Sequence, residues 1–344
     1  MQTGFSSFLK IQNLLLLVYG EYFMCCFYQL YPMKNQKLLT TTILLIIVIV
    51  VIPIVAIFYD KPLTDLQSLI LMNLVKGMLV VSLVCFVLGE ITKNYSQTDK
   101  LWSIMPFFYV LYAAYASNWQ PRLILMLVVA AIWSIRLTYN FNRRGGYSWK
   151  FWTGEEDYRW TVLRQESFLQ GKFRFTLFNL FFICLYQQAL ILAFTLPTIV
   201  AMESNKAIGA ADIILAIIMV GFVVIETFAD QQQWDFQTEK HRRKNAGEPL
   251  NAEQTKGFIS SGLWSKVRHP NYASEQSIWI VFYLFSVVAT GRWINWSMAG
   301  CVLLVILFRS SADFSENISA NKYPDYKDYQ KRVPKFIPRL FSGK

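Results

Sequence analysis

Residues 260–275 read S-S-G-L-W-S-K-V-R-H-P-N-Y-A-S-E and lead into a long apolar run at Ser277. Pro270 lacks a backbone N–H and disfavours the helical conformation in the residue before it, so a helix should start just after the basic residues. Asn271 and Glu275 are four residues apart and would share one face of that helix. An amide and a carboxylate at the edge of an apolar helix, below basic side chains, need a ligand or a partner.

The composition is that of an integral membrane protein. Of 344 residues, 54% are hydrophobic and 16% are charged, which is too apolar for a soluble chain of this length. Apolar windows long enough to cross a bilayer occur at 38–58, 66–88, 101–116, 123–139, 175–200, 208–228 and 278–308. Gly291 and Arg292 break the last window into two helices. We therefore expect an all-α, polytopic bundle of about 7–8 transmembrane helices, with one membrane-embedded domain at 38–344 after a poorly defined segment at 1–37.

Lys and Arg are concentrated in three segments, at 143–174, 240–268 and 309–344. Two predicted helices separate each of these segments from the next, because the window 278–308 counts as two, so the positive-inside rule places all three segments on the cytoplasmic side. We expect 240–248 to be a solvated basic loop. The segment that follows Arg309 alternates tyrosine with lysine, which indicates a tail that lies on the membrane surface or folds back on the cytoplasmic face.

Polar residues recur where the apolar windows end near these basic segments. Arg136, Tyr139, Asn140 and Arg143 follow one another at helical spacing. E-E-D-Y-R-W-T-V-L-R at 155–164 is either a salt-bridged solvent-exposed face or a cap over a site. Glu226 and Asp230 are, like Asn271 and Glu275, four residues apart.

The polar side chains have a chemical bias. Those suited to phosphate are Arg136, Arg143, Arg144, Arg159, Arg164, Lys266 and Arg268. The carboxylates of Glu226, Asp230 and Glu275 suit ribose hydroxyls or a carboxamide. The chain has neither the glycine-rich motifs of soluble nucleotide-binding folds nor an H-E-x-x-H motif, and only two histidines, so we expect no metal site. We also expect no nucleic-acid partner.

R-H-P-N-Y-A-S-E resembles the C-terminal motif shared by membrane steroid 5-alpha-reductases, sterol reductases and isoprenylcysteine carboxyl methyltransferases. Other motifs extend the resemblance: N-Y-S-x-x-D-K-L-W, W-x-x-R-L-T-x-N, E-D-Y-R-W, E-x-x-x-D-x-Q and K-Y-P-x-Y-K-x-Y. Together they are similar to the bacterial branch of the steroid 5-alpha-reductase superfamily that is defined by the DUF1295 domain. The resemblance covers about residues 66–338.

The resemblance implies a membrane bundle that holds NADPH in a cytoplasm-facing cavity and takes a lipid-like enone substrate from the bilayer. By motif, Asn271 and Glu275 match the nicotinamide end of the family's site, and Arg136 matches an arginine that contacts cofactor phosphate. Glu226 and Asp230 match a polar pair one helix earlier. Where the steroid enzymes commonly have a catalytic tyrosine, this chain has Trp133.

We therefore predict a cofactor site formed by Arg136, Arg143, Arg159, Glu226, Asp230, Arg268, His269, Asn271, Tyr272 and Glu275. Tyr139, one turn from Arg136, is the predicted proton donor, and Glu275 is predicted to act at the reacting end of the cofactor without being the principal acid.

Three functions compete. An NADPH-dependent reductase would reduce a C=C bond of a lipid-like substrate. A methyltransferase would bind S-adenosylmethionine, and a non-enzymatic scaffold would bind anionic lipid. Several arginines favour anionic NADPH over a sulfonium cation, and paired carboxylates disfavour anionic lipid. We expect a multi-pass protein of a bacterial inner membrane with its site on the cytoplasmic side, and leave the oligomeric state open.

Overall fold

The computed structural model describes residues 60–150, 152–204 and 207–339. In chain order its α-helices are α1 (Asp65–Thr92), α2 (Gln97–Trp102), α3 (Met105–Ala116), α4 (Pro121–Arg143), α5 (Tyr158–Gln165), α6 (Lys172–Ala201), α7 (Ala210–Ala246), α8 (Ala252–Lys256), α9 (Pro270–Thr290), α10 (Met298–Lys322) and α11 (Tyr326–Arg332). Two short 3₁₀ helices are Ser167–Leu169 and Gly262–Ser265, and α6 contains a π-helical segment, Asn179–Tyr186. Every regular element in the described ranges is helical.

Six of these helices, α1, α4, α6, α7, α9 and α10, are long and apolar enough to cross a membrane. The predicted all-α, polytopic class is therefore confirmed. Of the apolar windows expected to span, 38–58 lies outside the described residues. The window 101–116 is divided between the end of α2 and the 12-residue helix α3.

Helix α3 can be short because it starts inside the bundle. At 1.5 Å per residue it is only about 18 Å long, less than the thickness of a bilayer core. The chain ahead of it enters the bundle, with Ser96, Thr98 and Ser103 all buried. Ser134 on α4 donates a hydrogen bond to the Ser103 carbonyl oxygen at 2.5 Å. Such protein contacts satisfy backbone groups that lipid could not satisfy.

The connections that carry the basic segments meet at one end of the bundle. Asn94 donates to the Gly154 carbonyl at 2.8 Å, and the backbone N–H of Arg268 donates to the Pro334 carbonyl at 2.8 Å. At the opposite end, Arg292 lies 3.4 Å from Asp60 and 2.5 Å from Glu203. The basic segments therefore share one end of the bundle, as their charge pattern predicts.

The prediction of a solvated loop at 240–248 was wrong. Helix α7 continues to Ala246 and ends at Gly247, whose φ of 68° is the left-handed conformation that favours glycine. Glu239 pairs with Arg242 and Arg243 at helical spacing, with N–O distances of 2.8 and 2.7 Å. Pairs at this spacing stabilise a solvent-exposed helix, so the charges of this segment support the helix.

The C-terminal segment folds back on this end of the bundle, which decides between the two arrangements expected for it. The Tyr329 hydroxyl donates to the Trp264 carbonyl at 2.5 Å. The rings of Tyr326 and Tyr329 pack on Phe258, with centroids 4.9 and 5.3 Å away. The tail is thus attached to the connection between α7 and α9.

An aromatic core fixes the relative positions of the spanning helices. Trp133 on α4 and Trp279 on α9 are fully buried and meet edge to face, with centroids 4.8 Å apart. Phe194 of α6 packs against Trp279, with ring centroids 4.2 Å apart. Aromatic pairs in these geometries contribute about 0.5–1.5 kcal/mol beyond their burial. This core lies directly beneath the polar side chains of α4, α7 and α9.

Candidate functional site

The side chains of Glu275, Arg136, Glu226, Asp230, Asn140 and Asn271 form one buried group between α4, α7 and α9, here called the carboxylate cluster. Each of the three helices contributes two members four residues apart, so the cluster is built of successive levels along the helix axes.

Glu275 occupies the deepest level. It is 3% exposed, and its two carboxylate oxygens accept hydrogen bonds from two indole N–H groups. Trp133 donates at 2.8 Å and Trp279 at 3.0 Å. The residue at 133, where the resembling family commonly has a tyrosine, is therefore a hydrogen-bond donor that fixes the carboxylate of Glu275.

Arg136 lies at the next level and bridges the two acids of α7. Its Nη1 is 2.6 Å from Glu226 Oε1, and its Nη2 is paired with Asp230. One guanidinium reaches both because residues four apart share a helix face. All three side chains are at least 90% buried. Removing one partner of a buried ion pair costs about 3–5 kcal/mol, so Arg136 holds these carboxylates in place.

Asp230 is the acceptor at the outer level of the cluster. Asn140 of α4 donates to one of its oxygens at 2.8 Å, and Asn271 of α9 donates to the other at 3.1 Å. Three helices are thus tied to one carboxylate. The predicted convergence of Asp230 with Asn271 is present in the structure, and Asn140 belongs with them.

Two arginines form the rim above Asp230. Arg143 donates to the side-chain oxygens of Asn140 and Gln231, at 2.9 and 2.7 Å, and lies 5.0 Å from the Trp234 ring. The Arg144 side chain is 47% exposed and lies 3.6 Å from Asp230. The order from the interior outward is therefore carboxylates first and arginines at the rim.

Tyr139 lies outside the cluster. It is 66% exposed and continues an outward-facing line on α4 that includes Val128 and Ile135, which are 49% and 71% exposed. Its ring is 5.9 Å from the Arg143 guanidinium. The structure does not bring this predicted proton donor to the buried carboxylates.

Arg268 and His269 form a separate group with Glu316 of α10. Arg268 donates to both oxygens of Glu316, at 2.7 and 3.2 Å, and to the Gln330 carbonyl at 3.0 Å. His269 Nε2 lies 2.9 Å from Glu316 Oε1, and the His269 ring stacks on Tyr272 at 5.3 Å. Three predicted cofactor residues therefore lie at the attachment of the C-terminal segment. The sequence analysis did not identify Glu316. The only signal for it in the sequence was the presence of an acidic residue on the last apolar helix.

Arg159 belongs to the connection between α4 and α6. Its guanidinium forms two hydrogen bonds of 2.8 Å with Asp157. Burial by itself would raise the pKa of Asp157. The charge and hydrogen bonds of Arg159 outweigh burial and hold the pKa of Asp157 below its ordinary value of 3.8.

This connection is docked on the chain around α2. Trp160 donates to Asp99 at 2.7 Å, Tyr95 donates its backbone N–H to Glu156 at 2.8 Å, and Gln97 donates to the Trp152 carbonyl at 2.9 Å. The segment 155–164 is therefore packed on the chain around α2, and its acids also pair with arginines of the same segment. These contacts do not place it over the carboxylate cluster.

Comparison with known proteins gives a family and no established activity. A family model described as a protein of unknown function, DUF1295, matches residues 85–333, a range that contains the carboxylate cluster and Glu316. The chain is 37% identical over 277 residues to "Uncharacterized protein C594.04c" of Schizosaccharomyces pombe, which covers 75% of this chain and 78% of that protein. No solved structure matches. With a family match over most of its length, this multi-pass membrane protein belongs to the DUF1295 family.

Proposed function

We propose that the chain is an NADPH-dependent membrane reductase that reduces a C=C bond of a lipid-like substrate. The observation that carries the proposal is the order of charges in the site, with buried carboxylates inside and Arg143 and Arg144 at the rim. A nicotinamide nucleotide has the matching order, with a neutral carboxamide and ribose hydroxyls at one end and phosphates behind them. The motif resemblance to steroid and sterol reductases supports the same assignment.

The inner residues have hydrogen-bonding capacity left for such a ligand. A carboxylate has about four acceptor positions, and the two indoles use two of those on Glu275. Glu226 Oε2 is buried and receives no hydrogen bond from a nitrogen donor among the described residues, and the Glu226 side chain lies against Glu275. Glu275 and Glu226 could therefore accept from a carboxamide or a hydroxyl. Asn271 and Asp230 would hold the adjoining ribose.

The rim residues supply the binding of phosphate. The hydrogen bonds of Arg143 go to neutral side chains, and Arg144 is half exposed, so both have charge to offer. Arg136 and Arg268 are already neutralised by buried carboxylates. We therefore assign phosphate contacts to Arg143 and Arg144 first, and give Arg136 the role of positioning Glu226 and Asp230. When bound, NADPH would supply the hydride.

A methyltransferase is the second candidate, because one observation favours it. Two buried acids, Glu226 and Asp230, surround the Arg136 guanidinium and a third, Glu275, lies one level below them, so the interior is rich in acceptor oxygens that suit a sulfonium cation. The rim arginines would repel that ligand, because its sulfonium is positively charged.

Ligand titration of the purified protein separates the two. We expect NADPH to bind and S-adenosylmethionine not to bind, as measured by calorimetry in detergent. Arg144→Gln should weaken NADPH about 10- to 100-fold, because a charge-assisted hydrogen bond contributes about 1.5–3 kcal/mol. Arg332→Gln is a matched control, since it removes one exposed charge at the same end, where Arg332 donates to the Asp328 carbonyl at 3.4 Å. Binding of S-adenosylmethionine alone would refute the reductase.

Turnover variants test the predicted roles of Glu275 and Tyr139. Glu275→Gln should weaken NADPH binding and leave residual oxidation of NADPH in membranes that contain the substrate. Tyr139→Phe should lower turnover with binding unchanged if the phenol donates the proton. A Glu275→Gln protein that binds NADPH normally and has no activity would make Glu275 the acid. Unchanged turnover in Tyr139→Phe would exclude Tyr139 as the proton donor. The outward position of its side chain also disfavours that role.

The side of the membrane also belongs to this proposal. We place the rim in the cytoplasm because the shared end of the bundle carries the Lys and Arg excess. The match to a yeast protein means that the family is not restricted to bacteria, so the expected bacterial inner membrane stays a prediction.

A further inference from the structure

A second group of polar side chains lies between α1, α2, α3 and α6, apart from the carboxylate cluster. We call it the inner polar cluster, and its members are Cys85, Thr98, Tyr109, Cys184 and Gln188. All five are at most 4% exposed. The Cys85 thiol lies against Thr98 and Gln188, the Cys184 thiol lies against Thr98, and Tyr109 is close enough to Cys85 to interact electrostatically.

The polar atoms of this cluster have weak partners or none within the described part of the chain. Among the described residues, Thr98 Oγ1 and the Gln188 amide meet only the neighbouring thiols, and the Tyr109 hydroxyl forms no hydrogen bond. A thiol is a weak donor and a weak acceptor, so these contacts satisfy the hydroxyl and the amide only in part. An unsatisfied buried polar group costs about 1–3 kcal/mol, so several such atoms in one place need an explanation.

The backbone is unusual at the same place. Asn179–Tyr186 forms a π-helical segment that ends directly before Gln187 and includes Cys184. Insertions of this kind in α-helices occur frequently at functional sites. The rings of Phe178, Phe182 and Tyr186 stack along the segment, with centroids 4.9 and 5.4 Å apart. Cys85 and Cys184 also belong to the apolar core cluster that contains Phe178, Phe182 and Ile183, so apolar side chains adjoin the polar ones.

The cluster carries no charge of its own, and the charges beside it have other partners. Asp99 accepts the Trp160 indole N–H at 2.7 Å, and Lys100 donates to the Thr153 carbonyl at 2.6 Å. A ligand that satisfies Gln188 must be both a donor and an acceptor, or must place one polar atom between the amide and a hydroxyl. An apolar body would pack on the adjoining apolar side chains.

From these observations we infer that the inner polar cluster binds the uncharged polar end, a hydroxyl or a carbonyl, of a largely apolar molecule. Gln188 and Tyr109 are the principal binding residues. The site is distinct from the carboxylate cluster and from the proposed nucleotide, so the inference goes beyond the proposed reductase and is tested without any cofactor.

Photolabelling of the full chain in lipid nanodiscs tests the inference. The probe is a long-chain methyl ketone with a diazirine next to its carbonyl, and mass spectrometry locates the adducts. We expect adducts on α1, α2 and α6 around the cluster, suppressed by an unlabelled long-chain ketone and not by the corresponding alkane. Gln188→Leu should lower the labelling about twofold to tenfold, since a neutral hydrogen bond contributes about 0.5–1.5 kcal/mol.

Gln187→Leu is the matched control, because it makes the same change one residue away, outside the cluster, and should leave labelling unchanged. Thermal stability without the probe gives a second readout. Because the Gln188 amide has only the weakly hydrogen-bonding Cys85 thiol to lose, Gln188→Leu should unfold at the same or a higher temperature than the parent protein. Tyr109→Phe, which removes only a hydroxyl, should give the same two results.

Two outcomes would overturn the inference. Adducts spread over the membrane-facing surface without competition by the ketone would mean that the cluster holds only water. Equal labelling of Gln188→Leu and Gln187→Leu would mean the same. Neither outcome bears on nucleotide binding at the carboxylate cluster, which is measured separately.

Discussion

Arg268→Ala discriminates between the role predicted from sequence and the role indicated by the structure. The sequence assigns Arg268 to a cofactor, whereas its guanidinium pairs with Glu316 and donates to the Gln330 carbonyl. Only 10% of the Arg268 side chain and 5% of the Glu316 side chain are exposed. Alanine would leave a buried carboxylate without its main cation and would free carbonyls of the C-terminal segment.

The expected cost is about 3–5 kcal/mol, the usual effect of removing one partner of a buried ion pair. Because the pair joins α10 to the segment that includes α11, the loss should appear as local opening of that segment. At 1.4 kcal/mol per tenfold, the opening equilibrium should rise by about two to three and a half powers of ten. Hydrogen exchange of the amides in 326–333, followed by mass spectrometry in detergent, measures this change directly.

Arg242→Ala is the control, since Arg242 also pairs with two carboxylates at this end but is 52% exposed. Exposed pairs contribute about 0–1 kcal/mol, so exchange in 326–333 should not change. The structural argument is refuted if Arg268→Ala retains full protection of the tail and loses affinity for NADPH more than for NADH. That result would mean that Arg268 binds the 2′-phosphate.

Three further predictions concern packing, pH and topology. Gly300→Ala should destabilise the protein by about 1–3 kcal/mol, because a Cβ there would lie 2.2 Å from the backbone of Ala193. Gly221→Ala should be tolerated, because a Cβ at Gly221 meets nothing within 4 Å. Thermal inactivation of the two variants measures the difference. The pKa of Asp157 is lowered in the folded protein, so its ionised form stabilises the segment 155–164 fully above about pH 4, and this stabilisation is lost as the pH falls below 3.8. Protease cleavage in this segment should therefore increase on acidification, and the increase should be smaller in Asp157→Asn than in the parent protein. Trp149→Cys, at a fully exposed position, should react with an impermeant thiol reagent from the cytoplasmic side only, and reaction in intact cells would reverse the topology.

Local patterns in the sequence were enough to predict the helical architecture and most of the carboxylate cluster. Glu226 and Asp230, like Asn271 and Glu275, share a helix face whatever the surroundings are, and the charge pattern placed both pairs at one end of the bundle. Partners from distant parts of the chain could not be predicted in the same way. Glu316 meets Arg268 across 48 residues, and nothing in either local sequence specifies that pair.

The position of Tyr139 shows how spacing can mislead. At about 100° per residue, Asn140 lies about 40° from Arg136 on one side and Tyr139 about 60° on the other. Both are neighbours of Arg136 by sequence, and the sequence does not say which side faces the bundle. Packing against α7 and α9 selects the side of Asn140, which is 7% exposed, and turns Tyr139 outward.

Trp133 then constrains the chemistry of the whole site. An indole N–H is a hydrogen-bond donor only and has no proton to give at physiological pH, so it cannot replace a phenol as an acid. It can fix a carboxylate, and Trp133 does so for Glu275 together with Trp279. A carboxylate with both oxygens engaged by donors is suited to accept a further hydrogen bond from a ligand. In the proposed reaction Glu275 is therefore a binding group, and the proton must come from a residue at another position or from the substrate's own surroundings.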